Sequence, residues 1–162
     1  MPVRSWRAAV AAAAVLLFLP APRAAAEPAA YTLRNARTGT CLHHAFGTAQ
    51  VRLEPCEEVP EQRWELRAAG AWTNVTAFDR EKGTWGCMAI GDNWSIRYGQ
   101  CGTTESAWTI PDGGRSRVRS ESDLNGNDLY LTETQDGRLS AQPGGTTPSA
   151  DWIVAAEIPG SA

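Results

Sequence analysis

Three tryptophans are evenly spaced along this chain of 162 residues. Trp64, Trp108 and Trp152 lie 44 residues apart, and an aliphatic residue follows each of them two positions later. That alternation is typical of a β-strand, in which residues i and i+2 share a face. A period of this length indicates a structural repeat. The sequence therefore predicts three equivalent units, at about residues 30–68, 69–112 and 113–156.

Each unit is predicted to contain about four short strands. In unit one the strands are expected at 31–35, 41–43, 51–54 and 63–66, with turn residues such as Thr38-Gly39 between them. No segment after residue 26 carries apolar residues at helical period over ten positions. The fold is therefore predicted to be all-β, with one core shared by three units. Trp72 opens unit two as Tyr31 opens unit one, so it too is expected in the core.

The first 26 residues have the pattern of a secretory signal peptide. Arg4 and Arg7 precede an apolar run at 8–19, and small residues follow at 24–26. Twelve apolar residues are too few for a bilayer crossing, which needs about 20, so no membrane anchor is expected. The sequence predicts an exported protein with a single domain at 27–162. The excess of Arg over Lys suggests a bacterial source.

The four cysteines are predicted to form disulfides, since their number is even and the chain is expected to be exported. Four cysteines allow three pairings, and sequence alone does not choose among them. The nearly equal separations favour two local loops, Cys41–Cys56 and Cys87–Cys101. A zinc site is the alternative, but there is no C-x-x-C pair and the two histidines are adjacent. No metal and no cofactor are expected.

Several motifs recur at matching places in the units. They are Gln62-Arg63-Trp64 with its degraded counterparts ending in Trp108 and Trp152, the Gly39-Thr40-Cys41-Leu42 and Gly86-Cys87-Met88 openings, and the approaches to Cys56 and Cys101. In these motifs the chain resembles the ricin B-type β-trefoil lectins. The resemblance implies a β-trefoil with pseudo-threefold symmetry, and a β-sandwich is the alternative. It also implies inward-facing tryptophans, a structural role for Gln62, and carbohydrate binding.

The sugar-binding places of that family are not kept in this chain. The family pattern has an Asp after the first Cys, a Gln and an aromatic platform before the second, and an Asn before the Trp. In units one to three, the Asp place holds His43, Ala89 and Thr132, and the Gln place holds Arg52, Arg97 and Ser140. The aromatic place holds Glu54, Gly99 and Gln142, and the Asn place holds Glu61, Glu105 and Ser149. Binding of galactose type at these places is therefore in doubt, although the fold is not.

A different sugar site is predicted in unit two. Trp85 and Trp94 lie outside the repeating core positions, and Asp92 and Asn93 directly precede Trp94. An aromatic face beside a carboxylate and an amide is a suitable surface for a sugar ring. The alternative is a turn whose tryptophan folds back over the edge of the barrel.

The composition disfavours several classes of function. A net charge of −3 gives no support for binding nucleic acid. The adjacent pair His43 and His44 faces opposite sides of a strand, so one is expected to be partly buried and the other solvated. No nucleophile motif is present, so the protein is predicted not to be an enzyme. The predicted partner is an extracellular glycan. The alternative is a protein partner, such as a protease bound by a protruding loop at 78–83 that offers Arg80.

Overall fold

The structure is a computed structural model that describes residues 29–111, 114–144 and 147–156. The expected signal peptide lies outside the described residues. The described chain forms short strands joined by turns and three-residue 3-10 helices. The strands are β1 (Ala30–Asn35), β2 (Cys41–His44), β3 (Val51–Glu54), β4 (Trp64–Ala69), β5 (Trp72–Asp79), β6 (Thr84–Ile90), β7 (Ile96–Gly99), β8 (Trp108–Thr109), β9 (Gly114–Arg117), β10 (Arg119–Leu124), β11 (Asn127–Glu133), β12 (Leu139–Pro143) and β13 (Asp151–Ala156).

The first and last strands of each unit close into one barrel. Strand β1 pairs with β4, β4 with β5, β5 with β8, and β8 with β10. Strand β9 directly precedes β10 along the chain and pairs with β13. Strand β13 pairs with β1, which closes the ring. The two inner strands of each unit form the hairpins β2–β3, β6–β7 and β11–β12. This architecture is the predicted all-β trefoil.

The three repeating tryptophans occupy equivalent positions in the core. Each is fully buried, and each indole Nε1–H donates a hydrogen bond to a backbone carbonyl of the hairpin in its own unit. The bonds run from Trp64 to Leu42 at 3.0 Å, from Trp108 to Met88 at 2.9 Å, and from Trp152 to Leu131 at 2.8 Å. A buried indole needs such an acceptor, because an unpaired N–H away from water is costly. The same contact therefore attaches each hairpin to the barrel.

Gln62 lies just before Trp64 and ties down a loop. Its side chain is 2% exposed; its Nε2 donates to the carbonyl of Pro55 at 2.7 Å, and its Oε1 accepts from the amide of Glu57 at 2.9 Å. At the equivalent place in unit two, the hydroxyl of Ser106 bonds the backbone of Thr103 in the same manner. These contacts satisfy backbone groups of the repeat.

Two disulfides join Cys41 to Cys56 and Cys87 to Cys101. They are the local pairs favoured by the equal spacing, and each closes one hairpin-containing loop. Unit three has Tyr130 and Gly144 at the matching places, so its hairpin has no such covalent link.

Two expectations about single residues are wrong. Trp72 is 43% exposed; it lies at the start of β5 opposite Ala69, where its side chain points outward. His44 is fully buried and His43 is half-buried, whereas one was expected to be solvated. Within the described ranges no helix has the length and apolar character of a bilayer crossing, and no three His, Cys, Asp or Glu side chains cluster as metal ligands would.

Candidate functional site

A rigid loop of residues 91–95 joins β6 to β7, and we call it the Trp94 loop. The amide of Gly91 donates to the carbonyl of Ser95 at 2.8 Å. The Ser95 hydroxyl donates back to the carbonyl of Asp92 at 2.7 Å. The Trp94 carbonyl accepts a hydrogen bond of 3.1 Å from the hydroxyl of Ser140, in unit three. The loop is thus closed on itself and fastened to a neighbouring hairpin.

The backbone of this loop is strained, and its polar and aromatic side chains are exposed. Asn93 and Trp94 have φ values of 54° and 61°. Asparagine tolerates this left-handed region, but a bulky residue rarely adopts it. Trp94 is 37% exposed, and Asp92 and Asn93 are exposed beside it. The loop therefore presents an indole, a carboxylate and an amide together at the surface.

Trp85 lies away from the other three predicted sugar-binding residues. It stands near the start of β6, whereas the Trp94 loop follows the end of that strand. An extended chain rises about 3.3 Å per residue, so the backbone of Trp85 is roughly 20 Å from the start of the loop. The structure therefore brings Asp92, Asn93 and Trp94 together and places Trp85 elsewhere. The two tryptophans are close in sequence, but Trp85 lies near the start of β6 and Trp94 beyond its end, so the length of the strand separates them.

One face of the Trp85 ring is already covered. The guanidinium of Arg67 lies 3.8 Å above the ring centroid, and Arg67 is held by the carboxylate of Glu65 at 2.8 Å. The ring of Phe78 lies 5.4 Å from that of Trp85, because these residues are directly opposite across β5 and β6. Such a cation–π contact stabilises the outer sheet face and covers one face of the indole, although Trp85 is still 43% exposed.

A cavity of about 440 Å³ lies next to the Trp94 loop. Residues of all three units line it, and three of them are arginines, one from each unit. The lining is Ala49, Gln50, Val51, Arg52, Leu53, Ser95, Ile96, Arg97, Gly137, Arg138 and Leu139. Since Ser95 belongs to both the loop and the lining, the cavity and the exposed indole are neighbours. No local sequence pattern indicates this cavity, because the cavity forms only where the three hairpins meet.

Arginines fill two of the places at which ricin B-type lectins hold sugars. In unit one, Nε of Arg52 lies 2.6 Å from the carboxylate of Glu54. In unit two, Arg97 lies flat on its hairpin: a Cβ on Gly91 would be 2.7 Å from the Arg97 Cδ, and one on Gly99 would be 3.5 Å from its Nη1. The glycines thus leave room for the arginine side chain.

Arg97 also acts electrostatically on Glu105. A hydrogen bond from its own backbone amide, one from the Thr103 hydroxyl, and the attraction of Arg97 together lower the pKa of Glu105. In unit two, the place expected for a polar sugar-binding side chain thus holds a cation that acts on Glu105.

A buried charged cluster lies beneath the β5–β6 turn. The ring of His44 stacks on Tyr98 with 3.7 Å between centroids, and its Nε2 lies 3.8 Å from the carboxylate of Asp79. Neither ring nitrogen of His44 has a hydrogen-bond partner in the described chain. Burial lowers the pKa of His44, although the Asp79 charge opposes this. His44 is therefore neutral at pH 7.

Asp79 is ionised in this cluster although it is fully buried. Burial alone would raise the pKa of its carboxyl, but hydrogen bonds from the backbone amides of Lys82, Gly47 and Glu81 outweigh it and hold that pKa below the usual value. These bonds also tie down the loop predicted to reach a protease: between β5 and β6 it is a four-residue turn that contains Arg80. The inhibitor alternative stays a prediction.

The comparisons with known proteins concern the fold. No family model and no curated protein matches the sequence. Among solved structures, the chain is similar to an endo-β-galactosidase from Clostridium perfringens that releases GlcNAcα1-4Gal (TM-score 0.66, 17% identity, 80% of this chain and 33% of that chain). It is similar to the β-trefoil lectin of the Vibrio vulnificus hemolysin/cytolysin with N-acetyl-D-lactosamine bound (0.65, 16%, 80% and 96%). A third is the designed threefold symmetric protein ThreeFoil (0.61, 15%, 80% and 99%).

These likenesses agree with the barrel and hairpins described above. The fold is a β-trefoil. The chain spans about one third of the endo-β-galactosidase and matches nearly all of the Vibrio lectin and of the designed protein. At such low identities the likeness extends to architecture and not to the side chains of a site.

Proposed function

We propose that this protein is a secreted carbohydrate-binding β-trefoil module, with the Trp94 loop as its sugar-binding surface. Trp94 supplies the flat apolar face on which the C–H side of a sugar ring packs. Asp92 and Asn93 supply a carboxylate and an amide for sugar hydroxyls. Two disulfides fit an extracellular protein, and so does the apolar N-terminal segment of the sequence.

The observation that carries this proposal is the fixed, exposed indole of Trp94. Burying an aromatic ring would be the ordinary way to stabilise the barrel, yet this ring is held outward by a strained backbone. Backbone strain persists only where the surrounding contacts enforce it, and it clusters at functional positions. Trp85 is slightly more exposed than Trp94, at 43% against 37%, but the Arg67 guanidinium already stacks on one face of its ring. Of the two tryptophans predicted to bind sugar, we therefore propose Trp94 as the platform.

We propose binding rather than catalysis. Glycoside hydrolysis uses two carboxyl groups that face one bond at a separation of about 5–10 Å, and the Trp94 loop contributes only Asp92. The endo-β-galactosidase is about three times the length that this chain matches, so its activity is no argument for hydrolysis here.

The test is a binding titration on a broad glycan panel, followed by tryptophan fluorescence and calorimetry. We expect Trp94→Ala to weaken binding about tenfold or more, since an exposed ring that stacks on the ligand is lost. Trp72→Ala is the matched control, because Trp72 is equally a surface indole, at 43% exposed. Trp85→Ala tests the remaining predicted residue and is expected to bind like the parent. Unchanged binding by Trp94→Ala would refute this site.

A further inference from the structure

The three hairpins meet around the pseudo-threefold axis, where they form the floor of the 440 Å³ cavity. Val51, Ile96 and Leu139 begin β3, β7 and β12 at equivalent positions, and they are 7%, 6% and 7% exposed. Their side chains belong to the hydrophobic core. The floor is thus apolar and well packed, and the residues beside it point outward.

The symmetry of this ring is broken at one of its three junctions. Unit one contacts unit two through a bridge between Gln50 and Arg97, and unit two contacts unit three through the equivalent bridge between Ser95 and Ser140. The residues that would form the third bridge are Arg138 and Arg52. Among the described residues this junction has no such bridge. Two cations face one cavity there, because both arginines line it.

The lining carries positive charge without an acidic residue. Arg52, Arg97 and Arg138 are its charged members, although the chain as a whole has a net charge of −3. Their counter-charges lie outside the lining. Glu105 attracts Arg97, Glu54 pairs with Arg52 at 2.6 Å, and Asp136 pairs with Arg138 at 3.2 Å. The side chains of both pairs are well exposed, and ion pairs in such positions are weak and easily exchanged.

We propose that this cavity binds the oxyanion group of an acidic glycan, a carboxylate or a sulfate ester. The planar guanidinium forks of Arg52, Arg97 and Arg138 match the geometry of such a group, and Gln50 and Ser95 offer further donors. An anion would neutralise the like charges of Arg52 and Arg138, which both line the cavity at this junction. Because the side chains of Arg52 and Arg138 are exposed, water screens each charge, and binding depends on several guanidinium groups acting together.

The position of Trp94 links the cavity to a sugar chain. Trp94 directly precedes Ser95 of the lining, and its carbonyl is held by Ser140. A sugar stacked on Trp94 would therefore place a neighbouring acidic residue of the same polymer over the arginines. That the ligand is a glycan rests on the function proposed above, whereas the oxyanion site rests on the cavity alone.

The experiment measures binding of the purified full chain to three polymers: oligogalacturonate, which carries carboxylates; dextran sulfate, which carries sulfate esters; and plain dextran, which is neutral. The variants are Arg97→Gln and Arg138→Gln. The matched control is Arg80→Gln, which removes the same charge in the exposed β5–β6 turn. Because Arg138 is 83% exposed, its replacement leaves the packing intact even if Arg97→Gln disturbs the Trp94 loop.

We expect one or both acidic polymers to bind, with each cavity variant about tenfold weaker and with affinity falling as salt rises. The polymer that binds identifies the oxyanion as carboxylate or sulfate. Equal binding by Arg138→Gln and the parent would overturn the proposal, as would equal losses in Arg80→Gln and the cavity variants. So would failure of both polymers to bind. If Trp94→Ala binds dextran sulfate like the parent, the sugar platform fails but the oxyanion site stands.

Discussion

The burial of His44 shows how one side chain can make stability depend on pH. Its ring is fully buried against Tyr98 and lies 3.8 Å from the Asp79 carboxylate. Protonation would bring a second charge into the core, where desolvation is costly. The Asp79 charge reduces this cost but does not remove it, since the pKa of His44 is lowered.

We predict that the free energy of unfolding decreases as the pH falls from 7.5 to 5. The unfolded chain takes up a proton on His44 near the usual pKa of about 6.5, while the folded protein resists it. One such proton changes stability by up to about 1.4 kcal/mol per pH unit within this window. His44→Phe keeps an aromatic ring against Tyr98 and should flatten this decrease. Denaturant titrations at several pH values measure it.

The control for this prediction is His43→Gln. Burial and the Arg52 charge also lower the pKa of His43, but its side chain is only half-buried, so most of the decrease should remain in this variant. The pKa of Asp79 is lowered too, so its contribution is present above about pH 3.8 and is lost only below the window. An unchanged slope in His44→Phe would contradict the prediction.

The sequence predicts whether a residue is buried where the repeat places equivalent residues in every unit. Trp64, Trp108 and Trp152 were correctly predicted to be buried, since the 44-residue period puts one of them at the same place in every unit. Trp72 was wrongly expected in the core, because a match in order to Tyr31 says nothing about which strand face a residue occupies. The stacked pair of His44 and Tyr98 joins different units, and no local pattern encodes such a contact.

At the scale of elements, the three hairpins differ in their covalent support. A disulfide ties the β2–β3 and β6–β7 hairpins to their loops, and the β11–β12 hairpin has five ladder pairs without one. The difference can be read from the sequence, which has Tyr130 and Gly144 at the matching places of unit three. The sequence could not predict the axial cavity, since Arg52, Arg97 and Arg138 come together only through contacts between units.

We predict that backbone amides of β11 and β12 exchange hydrogen faster than those of β6 and β7. Local opening is easier where no cross-link limits the open state. Replacing both Cys87 and Cys101 by Ala should cost about 3 kcal/mol of stability for a loop of this size. It should also raise exchange in β6–β7 toward the rate of β11–β12. Hydrogen exchange read by mass spectrometry measures both, and equal protection of the two hairpins in the parent would count against it.

At the scale of the whole molecule, pairing of the first described strand, β1, with the last, β13, closes the barrel. Strand β1 pairs over five residues with β13. Among the described strands, β8 connects to β1 on one side through β5 and β4, and on the other side through the strands of unit three. The three buried tryptophans share one core. A unit removed from this ring leaves two unpaired strand edges and a core open to water.

We therefore predict that a chain cut after residue 111 does not fold, although it keeps both disulfide loops. Without unit three, β1 loses β13, β8 loses β10, and the indoles of Trp64 and Trp108 become accessible to water. Their fluorescence should shift to the red, and the near-ultraviolet circular dichroism should vanish. The matched control is the full chain with the Cys87 and Cys101 replacements, which weakens one hairpin but leaves the ring closed. A cooperative unfolding transition in the shortened chain would show that two units can bury a core alone, because only a packed core unfolds in one step.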